Sequence, residues 1–152
     1  KKKEIFDKDI IALVDNEVSQ KDELIKLLNL EVACGSTRNP KVKVVLNYKG
    51  NEVEKIETGN GPVDSIFNCI NSLIKNSAKL ELFLINAITK GTDAQAEVSV
   101  RLKENDISVS GTASDTDTMV ASARAYIIAL NKLIIKRKKR KICLNLATKK
   151  IN

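Results

Sequence analysis

The sequence has no histidine and no tryptophan, two prolines, one methionine and only 3% aromatic residues in 152 positions. Without imidazole there is no histidine metal ligand, no Cys-His or Ser-His-Asp nucleophile and no histidine pH switch. Three cysteines, Cys34, Cys69 and Cys143, are widely spaced and odd in number. That argues against a disulfide framework or a CxxC zinc or redox site. They read as buried or partly buried free thiols in a reducing, cytoplasmic setting. No apolar run reaches the roughly 18 residues of a membrane span. The N-terminus, KKKEIFDKDI, lacks the apolar segment of a signal peptide and an initiator Met, so the chain reads as a piece of a longer one whose histidines lie upstream.

What is present suffices for one domain with an aliphatic core, since 43% of the residues are apolar. The formal charge of +7 would normally suggest nucleic acid or a membrane surface. Its distribution argues otherwise. Residues 136–152 carry eight basic residues and no acidic one, which leaves residues 1–135 with a net charge of −1.

Hydrophobic spacing divides the chain into 1–27, a helical linker, 28–135, a folded domain, and 136–152, a basic tail. Ile5, Phe6, Ile10, Leu13 and Val14 recur at helical intervals, and Leu24, Ile25 and Leu28 suggest a second short helix. From Leu28 the period becomes that of strands: LNLEVACG, VKVVLNY and EVEKIET, with a turn at Lys49-Gly50-Asn51. A helix with Val63, Ile66, Phe67, Ile70, Leu73 and Ile74 on one stripe follows, and Pro62 suits its first turn. The same order then repeats through LELFLINAI, AQAEVSVRL and DISVSGTA. A helix striped by Val120, Ala123, Tyr126, Ile127, Leu130 and Ile134 ends it. The fold class is therefore α+β, with pseudo-symmetric β-β-β-α units at 28–75 and 79–134.

Each unit ends in a loop feeding a helix N-terminus, where free N–H groups and the macrodipole favour an anion. Gly59 and Gly61 let the backbone approach a ligand closely, and Asp64 could answer an ammonium group. Together with aliphatic walls these features suit a free apolar amino acid. On the residues alone, the plainer reading of 59–64 as a tight strand-to-helix connection carries more weight. Ala94 and Ala96 leave room against the middle strand of the second unit, although such small residues also serve tight packing. Asp117 or Thr116 can cap the second helix.

Three motifs in order go further. GNGPVDSIFNCI (59–70), AITKGTDAQAEVSVRL (87–102) and SDTDTMVASARAYIIALNKL (114–133) closely resemble the C-terminal regulatory domain of 2-isopropylmalate synthases, which some citramalate synthases share. The resemblance covers about residues 28–134, and KKKEIFDKDIIALV is similar to the subdomain after the catalytic barrel. It implies a homodimerising regulatory domain that binds the end-product amino acid and inhibits a distant catalytic site. That amino acid is leucine in the first case and isoleucine in the second. Carried over by motif, the binding residues are Gly59, Asn60, Gly61, Pro62, Val63 and Asp64, with Leu84, Ala87, Ala94, Ala96, Thr116, Asp117 and Thr118. The implied catalysis, Claisen condensation of acetyl-CoA with 2-oxoisovalerate on a divalent metal, belongs to a catalytic domain of the same chain. No catalytic residue, metal ligand or cofactor is expected among these 152 residues. Two alternatives remain. One is a structural dimerisation module; the other is a nucleic-acid-binding tail, which the scarcity of aromatic stacking platforms disfavours.

Overall fold

The computed structural model describes residues 24–90 and 93–151. The helical pattern read through Ile5, Phe6, Ile10, Leu13 and Val14 lies outside them. Two three-stranded antiparallel sheets form the frame. The first comprises β1 (Ile25–Gly35), β2 (Arg38–Tyr48) and β3 (Asn51–Thr58), and is followed by α1 (Pro62–Leu73). The second comprises β4 (Lys79–Lys90), β5 (Asp93–Glu104) and β6 (Ile107–Asp115), and is followed by α2 (Thr118–Ile151). The two β-β-β-α units of the sequence pattern are thus the architecture of the molecule.

Alternation along the central strands decides which face is dry. Val42, Val44 and Leu46 of β2, and Val98, Val100 and Leu102 of β5, are buried beneath the helices. On the other face of the second sheet β6 presents Ser108, Ser110, Thr112 and Ser114, and β5 presents Ser99, Arg101 and Lys103, a surface suited to water. α1 lies on β2 and β3, while α2 lies on β5 and β6 and also reaches β1 and α1. The predicted stripe of α1 is the buried one, with Ile66, Phe67, Ile70 and Ile74 inside. α2 buries a second stripe that the pattern did not single out. Ala121, Ala125 and Ala129 are fully buried, and a Cβ built on Gly111 would lie 2.2 Å from the Ala125 carbonyl oxygen. Helix backbone and strand backbone therefore touch there, which only a glycine permits.

Two readings of the sequence are corrected. Leu24, Ile25 and Leu28 do not form a helix, because β1 already begins at Ile25 and pairs it with Tyr48. The apolar spacing matched both periods, and pairing with β2 selected the strand. The basic segment is not a separate tail either, since α2 runs without a break through Ile151. Arg137 donates to the Glu104 carboxylate, and Arg140 donates to both carboxylate oxygens of Asp106, at 2.6 and 3.1 Å. These pairs tie the helix extension to the β5–β6 turn. By length and composition Thr118–Leu146 could cross a bilayer, but more than half of its most apolar stretch is buried in this fold.

Hydrogen bonds join the first unit to α2 and to the β5–β6 turn. The β2–β3 turn joins β1 through Lys49 N–H to Leu24 O, and Asn131 of α2 meets the same point. Just past α1, the Ser77 N–H reaches Glu104, the partner of Arg137. One end of the molecule therefore holds the C-terminal end of α1, residues 131–137 of α2 and the β2–β3 and β5–β6 turns. Each helix starts at the end of its own sheet away from these turns, since β3 runs from its turn to Thr58 before α1 and β6 from its turn to Asp115 before α2.

Candidate functional site

The two helix-entry loops hold most of the residues singled out in the sequence. α1 starts at Pro62 with Gly61 as N-cap, in extended conformation and with no side-chain cap. The Ser65 N–H and hydroxyl both return to Gly61 O, at 2.9 and 2.7 Å. This leaves the N–H groups of Val63 and Asp64 pointing outward without an intrahelical acceptor. The two glycines differ in purpose. A Cβ on Gly59 would sit 2.6 Å from Ser65 Oγ, whereas one on Gly61 would meet nothing within 4 Å. Gly59 is needed by the fold. Gly61 keeps the space in front of the helix end clear.

α2 begins differently. Its first turn is capped by Asp117, whose Oδ1 accepts from Met119 N–H at 2.9 Å. Asp115 accepts from Asp117 N–H at 2.9 Å and pairs with Arg124 at 3.2 Å. Asp117 is therefore engaged as a cap, and Asp64, exposed and with only a long 3.4 Å bond from Asn68 Nδ2, is the freer carboxylate.

At the end of the second sheet that leads into α2 runs a row, Ala87 beside Ala96 beside Asp115. Ala96 alternates with Val98 and Val100, so the row faces inward, and Ala94 lies on the same face one step further out. Leu84 does not join them. It pairs with Ser99 on the opposite face of β4, being three residues from Ala87 in a structure of period two. Phe83 and Ile85 occupy the inward positions. Ile85 is 48% exposed, because α2 covers β5 and β6 and stops short of β4. The inner face of β4 is the open wall of the site.

Phe67, one turn beyond Val63, meets Phe83 edge-on at 5.7 Å and stacks on Tyr126 at 4.4 Å. This trio floors the site and joins both helices to β4. Three of the five aromatic residues in the chain are used here. Spacing had marked Phe67 and Tyr126 only as core, and a motif cannot show that they meet. Cavities among the described residues lie elsewhere. One of about 440 Å³ lies between β1 and α2, lined by Ile25, Leu27, Arg124 and Asn131 among others. A second, of about 660 Å³, lies at the other end beside Arg137 and Arg140. Neither of these cavities is lined by the candidate residues.

Among the described residues no three Cys, Asp or Glu side chains gather closely enough to hold a metal ion. The cysteines also differ from expectation. Cys69 is buried, but Cys34 and Cys143 are exposed. The Cys69 thiol donates to Lys55 O at 3.1 Å, and burial pushes its ionisation up, so it behaves as a core group.

Two β-β-β-α units, each a three-stranded antiparallel sheet followed by a helix, define a duplicated α+β class of domain. The chain belongs to the LeuA allosteric (dimerisation) domain family, whose model matches residues 4–134. It is 51% identical over 140 residues to a 2-isopropylmalate synthase of Rhodopseudomonas palustris (strain BisB18). It is 51% identical over 141 residues to one of Bradyrhizobium sp. (strain BTAi1 / ATCC BAA-1182), and 48% identical over 140 residues to one of Nitrobacter winogradskyi. In each case the match covers 91% of this chain and 27% of the relative, so the chain spans about a quarter of the length of these synthases. It is a regulatory and dimerisation domain, not a catalytic one.

Proposed function

We propose that this domain senses a free branched-chain amino acid, leucine, for feedback inhibition of a 2-isopropylmalate synthase. The catalytic part would lie on the same chain and hold the divalent metal for condensing acetyl-CoA with 2-oxoisovalerate. No cofactor is assigned to these residues. The observation that carries the reading is an uncapped helix N-terminus in one unit and a row of small residues in the other, with Phe67 of that helix against Phe83 of the strand that carries the row. The outward N–H groups of Val63 and Asp64 suit the ligand carboxylate. The Asp64 carboxylate suits its ammonium group, and the Ala87–Ala96 row with Phe67 and Phe83 suits its aliphatic body.

Burying the side chain of leucine contributes roughly 2–3 kcal/mol at most. The rest of the affinity must come from pairing both charged ends, since either end left unpaired would cancel that gain. The uncovered inner face of β4 supports closure of the site by a second copy of the domain. Isoleucine is the second reading, because the two side chains are isomers and differ only in shape. Calorimetry with leucine, isoleucine and valine separates the readings. Heat with leucine at the lowest concentration supports the first, and the same result with isoleucine supports the second. No heat with any of the three overturns both.

A further inference from the structure

Asn131 is 2% exposed and makes three hydrogen bonds across the unit boundary. Its Oδ1 accepts from Leu24 N–H at 3.1 Å and Ile25 N–H at 3.0 Å, and its Nδ2 donates to Ile25 O at 3.0 Å. A helix residue thus supplies the edge bonding that β1 would otherwise lack at its first residues. No hydrophobic residue of similar volume could do so, and removing the amide would strand three backbone groups.

The position of this joint matters as much as its chemistry. Leu24 and Ile25 are where the chain enters the described fold from its N-terminal segment. Asn131 lies 13 residues into α2, about 20 Å along the helix from the candidate loop at Thr116–Thr118. α2 moves with the second sheet, because the Gly111 contact brings helix and strand backbones together. β1 belongs to the first sheet. The units meet at the Phe67–Tyr126 stack midway and at the Asn131 joint at one end, while the candidate site draws on both. A cavity of about 440 Å³ beside the joint, lined by Ile25, Leu27 and Asn131, leaves room for β1 to shift against α2.

We infer that Asn131 is the positioning residue through which the ligand state of the site reaches the N-terminal segment of the chain. A ligand gripping both units at one end biases their relative tilt about the aromatic stack. The buried amide converts that tilt into a tighter or looser hold on Leu24 and Ile25. A ligand shifts such an equilibrium only by its differential affinity for the two arrangements, and one that touches both units has the means to do so. This inference rests on the proposed amino-acid site.

Amide hydrogen exchange on this chain, with and without saturating leucine, tests it alongside calorimetry. Heat together with slowing of about fivefold or more at Leu24 and Ile25, with the turn amides of Gly50 and Asn51 within about twofold, is the expected result. Heat without slowing at Leu24 and Ile25 overturns the role of Asn131 and leaves the effector reading intact. No heat with any branched-chain amino acid overturns the effector reading, and this inference with it. In Asn131→Asp, which keeps the acceptor but loses the donor to Ile25 O, leucine should bind within about threefold of the parent while the slowing disappears. Retention of the slowing in that variant overturns the assignment to Asn131. If the variant does not fold, the comparison on the parent chain decides alone.

Discussion

The ring of Phe67 stacks on that of Tyr126, with centroids 4.4 Å apart and planes 21° from parallel, and the Tyr126 hydroxyl donates to Asn71 Oδ1 at 2.6 Å. One helix of each unit contributes to this contact, so it measures how strongly the units depend on one another. Tyr126→Phe keeps the stack and removes one of two donors to Asn71 Oδ1, Asn76 Nδ2 at 3.0 Å being the other, and should cost about 0.5–1.5 kcal/mol in urea unfolding. Phe67→Ala removes the floor of the site as well and should cost about 3–5 kcal/mol. If Phe67→Ala cost no more than Tyr126→Phe, the stack would not be the hinge between units.

Gly111→Ala should be destabilising far beyond its size. Its Cβ would meet the Ala125 carbonyl oxygen at 2.2 Å and the Ala129 nitrogen at 2.7 Å. Both are backbone atoms that cannot move aside alone. A loss of about 1–3 kcal/mol or more is expected. Gly35→Ala, where a Cβ meets nothing within 4 Å, should stay within about 0.5 kcal/mol of the parent. Thermal melts of the two variants make the comparison.

Glu104 gives the domain a defined acid sensitivity. The residue is 8% exposed, and its carboxyl is held below the usual range by hydrogen bonds from Arg137, with burial opposing and the Ser77 N–H assisting. A carboxyl group that ionises more easily folded than unfolded stabilises fully above its unfolded value, and that stability is lost as pH falls through the folded value. Urea midpoints should therefore decline below about pH 4.5. Glu104→Gln should be less stable at pH 7 and show a shallower decline. Asp106 is also held low, by Arg140, but this pair is exposed at the surface. Asp106→Asn should leave the midpoint within error, as solvated pairs generally do.

The strand–helix order was legible because both periods are strong here: Val42, Val44 and Leu46 alternate, and Ile66, Ile70 and Ile74 recur every four residues. What escaped the pattern depends on pairing between distant segments. Leu24–Leu28 fits either period until β2 lies beside it. The Ala121, Ala125 and Ala129 stripe looks like ordinary helix-forming alanine until Gly111 is opposite. Asn131 reads as one more polar residue in a helix, since nothing local reveals that β1 begins next to it. The same holds within the site. Gly59–Asp64 is a local motif and is legible as one. Leu84 and Ala87 are neighbours in sequence whose side chains point to opposite faces.

The two glycines of the first loop should separate structure from binding. Gly59→Ala pushes against Ser65 Oγ, which is buried and bonded to Gly61 O, and should lower the melting temperature. Gly61→Val points into open space, so the melting temperature should hold while leucine binding weakens by about tenfold or more, equivalent to about 1.4 kcal/mol. Equal destabilisation by both substitutions would mean that the loop is only a connection.

Calorimetric titration of leucine into the chain and into Asp64→Ala tests the central claim most directly. Saturable heat with the parent, and binding weakened by about tenfold or more in a variant whose melting temperature is unchanged, is the expected result. Identical leucine heats from the two proteins would contradict the proposed role of Asp64, and no heat from the parent would contradict the sensing function itself.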